Sequence, residues 1–389
     1  MSRARDALRV QEARRVHDAR DTHPGPVRVS GGTRLGSRDC SRDMPPSGAR
    51  LRSTSLALAA LVTLGCAGAG RDGHGPSVAP ERLDTTPAVP ASARPYRPFA
   101  DDSPWNTPIA ADAPVRPDSA ALIQHLARSS RWPGLSVSIH PWSVPVYTVD
   151  SRTPRVAVHT SLSNEGEHPT LRWPVPTDAQ PAPESDGHLA LVDRAAGRAY
   201  DFFQARRRSD GGWDCTLCAT VDLGGSGVRP PKGGPAPWYA SHGSRACGFP
   251  LVAGLVTPDE LRAGEVRHAL VLAYPGVRQR WFVSPASTGH PANGRISEHT
   301  GIPCGGRVQL DPRLDVDALG LSPGARVIAR AIQVYGAYVG DYSDSINVYA
   351  DGSEAARGAY AGVLASGDTA GIDLAHLRVL EWGRLTPDG

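Results

Sequence analysis

From Leu135 onward, every apolar run is soon interrupted by Pro, Gly or Asn, and that punctuation limits what the chain can build. The segments LSVSIH, PVYTV, RVAVH, HLALVD and RAYDFF are each of strand length, and turn residues separate them. Long helices are excluded over most of the chain. With 36 Pro and 42 Gly in 389 residues, about a fifth of the chain, a β-rich fold with many turns follows. HALVLAY, RWFVSPA and GRVQLDP add further strands, and YVGDYSDSINVYA reads as a final hairpin. Helical spacing is confined to SAALIQHLARSS after Asp118, to PDELRAG, and to a longer helix capped by Ser322. In the last, Pro323 is the first residue, and Val327, Ile328, Ala331, Ile332 and Tyr335 share one face. No repeat period is visible, which argues against a propeller. The expected fold is all-β: an antiparallel β-sandwich or jelly-roll-like domain over residues 96–389, with a few peripheral helices.

The region before that domain reads as an export signal. MPPSGARLRSTSLALAALVTLGCAGAG, from Met44, has Arg50 and Arg52 ahead of an apolar run, Ser55 to Leu64, too short for a stable membrane anchor. It ends at Gly65-Cys66, which reads as a lipoprotein signal (44–66) with Cys66 lipidated; Thr63, where Leu is usual, leaves plain secretion as the alternative. Residues 1–43 do not belong to such a signal, and translation is expected to start at Met44. Residues 67–95, rich in Ala, Pro, Gly and Asp without periodicity, read as a flexible tether. The first 66 residues hold 12 Arg and 6 acidic residues, leaving 30 basic against 33 acidic beyond them. The exported part is thus slightly acidic and offers no basic stripe for nucleic acid.

Export bears on the cysteines. Cys215, Cys218, Cys247 and Cys304 have the number for one zinc site, but an oxidising compartment favours two disulfides over a metal. All three pairings remain open, Cys215–Cys218 with Cys247–Cys304 among them. No metal and no cofactor is expected.

GFPLVAGLVTPDELRAGEVRHALVLA, GIPCGGRVQLDP and LGLSPGARVIARAIQVYGAYVGD resemble a widespread group of secreted bacterial proteins. SPWNTPI, SVPVYTVD and SDGHLALVDRAAGRAYDF are similar to its upstream half. The resemblance runs from about Tyr96 to Leu380. It implies one exported folded unit, in a group without an assigned activity, and so implies no mechanism. PASTGHPANG stands where the group would have a Thr-Asp-Gly turn.

Chemistry concentrates in SDGHLALVDRAAGRAYDFFQ. A four-residue loop, Arg194 to Gly197, with Gly197 left-handed, places Asp193 opposite Arg198 and Ala190 opposite Asp201. Leu189, Leu191, Tyr200 and Phe202 then share a core face. His188, Ala190, Val192, Ala199, Asp201 and Phe203 share the other, where a His188–Asp201 pair on a groove floor could act as a general base. The plainer reading has His188 bonding a loop carbonyl and Asp201 capping a turn. Asp186 caps the Asp-Gly turn or binds a cation or sugar hydroxyl. In YASHGSRACGF, His242 and Arg245 sit in a loop pinned by Cys247, where Arg can neutralise an anion and His can move a proton. Ser241 and Ser244 lack a nucleophile elbow, and no histidine pair has metalloprotease spacing. His125 and His268 read as surface or core-edge residues. Trp105, Trp142, Trp213 and Trp238, in Pro/Gly-rich surroundings, are candidates to stack on sugar rings.

These residues point to an exported, surface-anchored lipoprotein acting on extracellular polysaccharide. A hydrolase would draw two carboxylates from Asp186, Asp201, Asp222 and Asp341; a lyase would use Arg245 with His188 or His242. The alternative is a noncatalytic envelope protein that binds glycan or a protein partner. The expectation that separates them is convergence of His188, Asp201, His242 and Arg245 in one groove.

Overall fold

Short strands between turn residues form as the punctuation requires, but the order in which they pair is set by long-range contacts. The computed structural model describes Pro95 and residues 97–230, 243–289 and 299–388, all within one compact unit, Ala88–Gly389. The expected leader with Cys66, the expected tether up to residue 94, Trp238 and His242 lie outside the described residues. The first strands are β1 (Leu135–Ser138), β2 (Val146–Thr148), β3 (Arg155–Ser163), β4 (Gly166–Glu167), β5 (Thr170–Pro174), β6 (Leu189–Asp193), β7 (Arg198–Phe203), β8 (Arg206–Arg207) and β9 (Trp213–Asp222). The rest are β10 (Leu270–Ala273), β11 (Arg278–Phe282), β12 (Pro303–Cys304), β13 (Arg307–Leu310), β14 (Ala337–Asp341), β15 (Ile346–Tyr349), β16 (Leu377–Val379) and β17 (Thr386–Pro387).

An eight-stranded sheet runs β2-β6-β7-β9-β3-β4, with β5 on β3 and β8 on β9. A six-stranded sheet runs β1-β15-β10-β14-β13-β16, and a small third sheet is β12-β11-β17. The protein is mostly strand with few helices. Its sheets are mixed, where antiparallel pairing was expected: β1–β15, β10–β14, β2–β6, β3–β9 and β11–β12 are parallel. Parallel partners cannot be joined by a tight turn, so these pairings come from distant returns of the chain that local spacing does not encode. The expected final hairpin is corrected for the same reason. β14 and β15 do not pair; β10 lies between them, parallel to one and antiparallel to the other.

Among the described residues four α-helices flank the sheets: α1 (Ser119–Ser129), α2 (Pro258–Ala263), α3 (Pro323–Val334) and α4 (Glu354–Ala359). Ser322 caps α3 by accepting from Ala325 N, and Ile328, Ala331 and Ile332 are buried along it. Asp118 stands at the N-cap of α1 but makes no cap bond; Arg116 takes its carboxylate at 2.8 and 3.0 Å instead. α2 has a capping box between Thr257 and Glu260, and Gly264 ends it in the left-handed region.

The core divides at the eight-stranded sheet. One face of it carries Leu189, Leu191, Tyr200 and Phe202 against Trp173, Trp213, Cys215 and Cys218. The opposite face sends Ala190, Val192, Ala199 and Val221 into the main cluster, with Val271 and Val339 of the six-stranded sheet and Ile332 of α3. Each fully buried aliphatic side chain contributes about 1.5–3 kcal/mol. No helix among the described residues is long and apolar enough to cross a membrane.

Candidate functional site

The site is assembled on the β6–β7 hairpin, whose register follows the expectation. Asp193 pairs with Arg198, Ala190 with Asp201, and Leu189 with Phe202; Gly197 closes the turn at φ +64°. Asp193 does not bridge Arg198 but accepts from Ala196 N at 2.9 Å, closing the turn from within. The His188 ring lies 5.6 Å from that of Phe203. The polar face is not an open groove floor, because main-cluster residues and the loop from Gly243 to Leu251 cover it.

That loop is tied down at several points. Cys247 is bonded to Cys304, and its N–H donates to the Gly340 carbonyl at 3.3 Å. Arg245 N donates to Phe249 O at 3.3 Å, Gly248 N to Arg245 O at 2.8 Å, and Leu251 N to Asp201 Oδ2 at 2.8 Å. The six-stranded sheet is shaped to receive the loop. Between β10 and β14 the register slips, so that Val339 faces Leu272 but Asp341 faces Ala273, leaving Gly340 as an extra residue. Such a bulge re-aims the following side chain. A Cβ on Gly340 would lie 2.7 Å from the Phe249 ring and from Val271, so only glycine lets the loop approach. Ala273 also faces Asn347, so Asp341 and Asn347 flank its small side chain on one face. Tyr349, two residues beyond Asn347 in β15, shares that face.

Arg245 fills the space above them with none of its side chain exposed. Its Cζ stands 4.2 Å from the centre of the Tyr349 ring, its Nη1 is 3.6 Å from Asp341 Oδ2, and its Nη2 donates to Leu251 O at 3.4 Å. The stacking is worth about 0.5–2 kcal/mol. Nε and Nη1 of Arg245, the Ser244 hydroxyl and Asp201 Oδ1 have no hydrogen-bond partner among the described residues. Each such buried group costs about 1–3 kcal/mol, so they are not a neutral feature of the packing.

Burial and this guanidinium set the protonation states. Burial, then repulsion from Asp341 and Glu184, pushes the Asp186 carboxyl up to about 7, against the pull of Arg245. Burial raises Asp201 to about 6, opposed by the Leu251 N–H and by Arg229 and Arg245. Asp341 is also raised by burial, and Arg245 counteracts this. His188 is pushed down to about 3 by burial and by Arg245, although its hydrogen bond to the Ser244 backbone favours the charged form. Its imidazole is therefore neutral at physiological pH.

Asp186, His188, Asp201 and Arg245 thus come together, with Asp341 and Tyr349. The His188–Asp201 base pair is corrected: His188 bonds the Ser244 backbone and Asp201 holds Leu251 N, so both clamp the loop instead of each other. Asp222 lies apart, exposed, and accepts from Gly224 N at 2.9 Å. Trp105 is buried against Phe249 and Tyr338, with ring centroids 4.8 and 5.2 Å away. Trp213 is buried against Phe202. Both therefore pack in the core and offer no ring to a sugar. Trp142 is exposed, with φ +60°. Tyr349 and Glu184 were not singled out by sequence; the only local sign of Glu184 is its place two residues before Asp186.

His268 is a buried core histidine, with Nε2 2.9 Å from Glu260 Oε1 and Nδ1 2.9 Å from Ala269 O. The cysteines pair as Cys215–Cys218 and Cys247–Cys304. Among the described residues no group of His, Cys, Asp or Glu is arranged to hold a metal ion. No protein-family model, curated protein or solved structure matches the chain.

Proposed function

We propose that this protein is an exported, lipid-anchored enzyme that hydrolyses extracellular polysaccharide, with Asp186 as proton donor and Asp341 as its charged partner. The observation that carries the reading is a half-buried carboxyl that keeps its proton up to about 7 beside a second carboxyl ion-paired to a buried guanidinium. Two carboxyl groups in unlike environments suit glycosidic hydrolysis: Asp186 gives its proton to the leaving oxygen as the glycosidic C–O bond breaks, water adds to the anomeric carbon and its lost proton restores Asp186, and the charge of Asp341 favours the cationic ring in between. Arg245 favours the ionised form of Asp341 against the burial that raises it, and Tyr349 holds Arg245 in place. A lyase is less well supported, because His188 is too weak a base and Arg245 is sealed away from a uronate.

The scaffold is read as a sandwich-like arrangement, the two larger sheets facing each other across the main cluster. The two disulfides are compatible with an extracellular location; the lipid anchor at Cys66 and membership of the secreted group rest on sequence motifs alone. A noncatalytic glycan-binding role is the second reading, favoured by the use of His188 and Asp201 to clamp a loop. Incubating the purified protein with a polysaccharide panel separates the two. New reducing ends, lost in Asp186→Asn and Asp341→Asn, support the hydrolase; retention of a glycan without turnover supports the binder.

A further inference from the structure

We propose that the recess beside Asp186 is a subsite for a neutral pyranose unit of the polysaccharide, an inference that rests on the hydrolase reading above. The recess has a volume of about 450 Å³, and its lining includes Pro181, Pro183, Glu184, Gly187, Gln204 and Arg206. It is built where two turns meet. Gln204 N donates to Asp186 O at 2.7 Å, Ala205 N to Gly187 O at 3.0 Å, and Gly187 N to Glu184 O at 3.0 Å. A Cβ on Gly187 would lie 3.2 Å from Gln204 Cα and Ala205 N, so the two turns are pressed together.

Two features set this recess apart from an ordinary surface dip. Gln204 is held at φ +57°, a conformation that costs a non-glycine residue energy and recurs at ligand sites. Its Oε1 accepts from Thr216 Oγ1 at 2.6 Å, which fixes the amide and leaves Nε2 as the donor on offer. Second, Glu184 Oε2 is buried without a hydrogen-bond partner among the described residues. Glu184, which lines the recess, is also near enough to Asp186 for its charge to act on that carboxyl.

The lining is suited to a sugar. A carboxylate accepts from hydroxyls, an amide and a guanidinium donate to them, and two proline rings offer apolar surface to the C–H face of a ring. The charge selects among sugars. A uronate placed here would meet the charge of Glu184, and like charges at close range are unfavourable. Arg206 is exposed, so solvent and salt weaken its attraction for an anion. A neutral hexose meets no such penalty.

The test measures binding of neutral oligosaccharides and oligouronates to the Asp186→Asn protein, with and without Gln204→Ala or Arg206→Ala. The expected result is binding of a neutral oligosaccharide, weakened about tenfold by Gln204→Ala, as for the loss of one or two hydrogen bonds. Arg206 is exposed, so its variant keeps the proposal testable if Gln204→Ala does not fold; it should weaken binding in the same direction. Tighter binding of the oligouronate, or neutral binding unchanged in both variants, overturns the subsite. If turnover of a neutral glycan is lost in Asp186→Asn but binding ignores Gln204 and Arg206, the subsite fails and the hydrolase reading stands. If glycan binds through Gln204 without turnover by the unsubstituted protein, the hydrolase reading fails and the subsite stands. Absence of both binding and turnover overturns both.

Discussion

The two faces of the β6–β7 hairpin have the same backbone and opposite chemistry. On one, Leu189, Leu191, Tyr200 and Phe202 pack against Trp173 and Trp213 in a dry cluster. On the other, His188 and Asp201 are buried just as deeply but hold a loop that carries Arg245 over Asp341 and Tyr349. The dry face contributes stability by area alone. The polar face keeps donors and acceptors without partners among the described residues and shifts the protonation of its groups, the contrast on which the proposed function rests.

The largest effect that would sharpen this contrast is Phe202→Ala. Its ring is fully buried against two tryptophans, so we expect a loss near the upper end of the 3–5 kcal/mol range for such truncations, read by chemical denaturation. Its unfolding curve should shift without a new dependence on pH.

The disulfides come next, because one belongs to each face. Cys247–Cys304 closes a separation of 57 residues and pins the Arg245 loop. Cys215–Cys218 closes only 3 and lies in the dry cluster. From loop-closure entropy, replacing the first pair by serines should cost about 4 kcal/mol and the second about 1.5 kcal/mol. Equal losses would mean that the loop is not held by its crosslink.

At neutral pH the smallest effect is that of His188→Gln, which keeps a donor for the Ser244 backbone. The folded-state value of His188 is depressed to about 3 from an ordinary 6.5. Between these values the unfolded chain binds a proton that the folded chain refuses, so His188 makes the protein less stable as pH falls through that window. Asp186 and Asp201, raised to about 7 and 6 from 3.8, act in the opposite sense: folded carboxyls retain protons that unfolded ones lose, so stability falls as pH rises from 3.8 towards those values. The difference between variant and parent isolates His188, and it should move in the variant's favour as pH falls from 6.5 towards 3. A flat difference in pH-dependent melting would contradict the burial of a neutral imidazole.

Much of the hairpin was legible in sequence. VDRAAGRA, with Gly197 where a left-handed residue is needed, fixes the turn, and strand alternation then assigns every face. The loop held by Cys247 was legible too, because a cysteine two residues from Arg245 reads as a crosslink when the motifs before the domain are read as an export signal. What covers the polar face was not. Asp201 meets Leu251 across fifty residues, and the parallel pairings that align β10 with β14 have no local signature. Asp341 reaches the site through a one-residue bulge at Gly340, and neither alternation nor turn chemistry predicts which glycine becomes the extra residue. Trp105 and Trp213 misled for a related reason: Pro/Gly-rich surroundings mark a turn but do not tell which way its side chain points.

The central claim is that Asp186 keeps its proton near neutral pH because burial, and then the charges of Asp341 and Glu184 beside it, disfavour its ionised form. Titration of the Asp186 side-chain carboxyl by NMR tests this most directly. The account predicts a midpoint near 7 that falls in Asp341→Asn, where the repulsion from that neighbour is gone. A midpoint close to that of an ordinary aspartate, unchanged in Asp341→Asn, would contradict it.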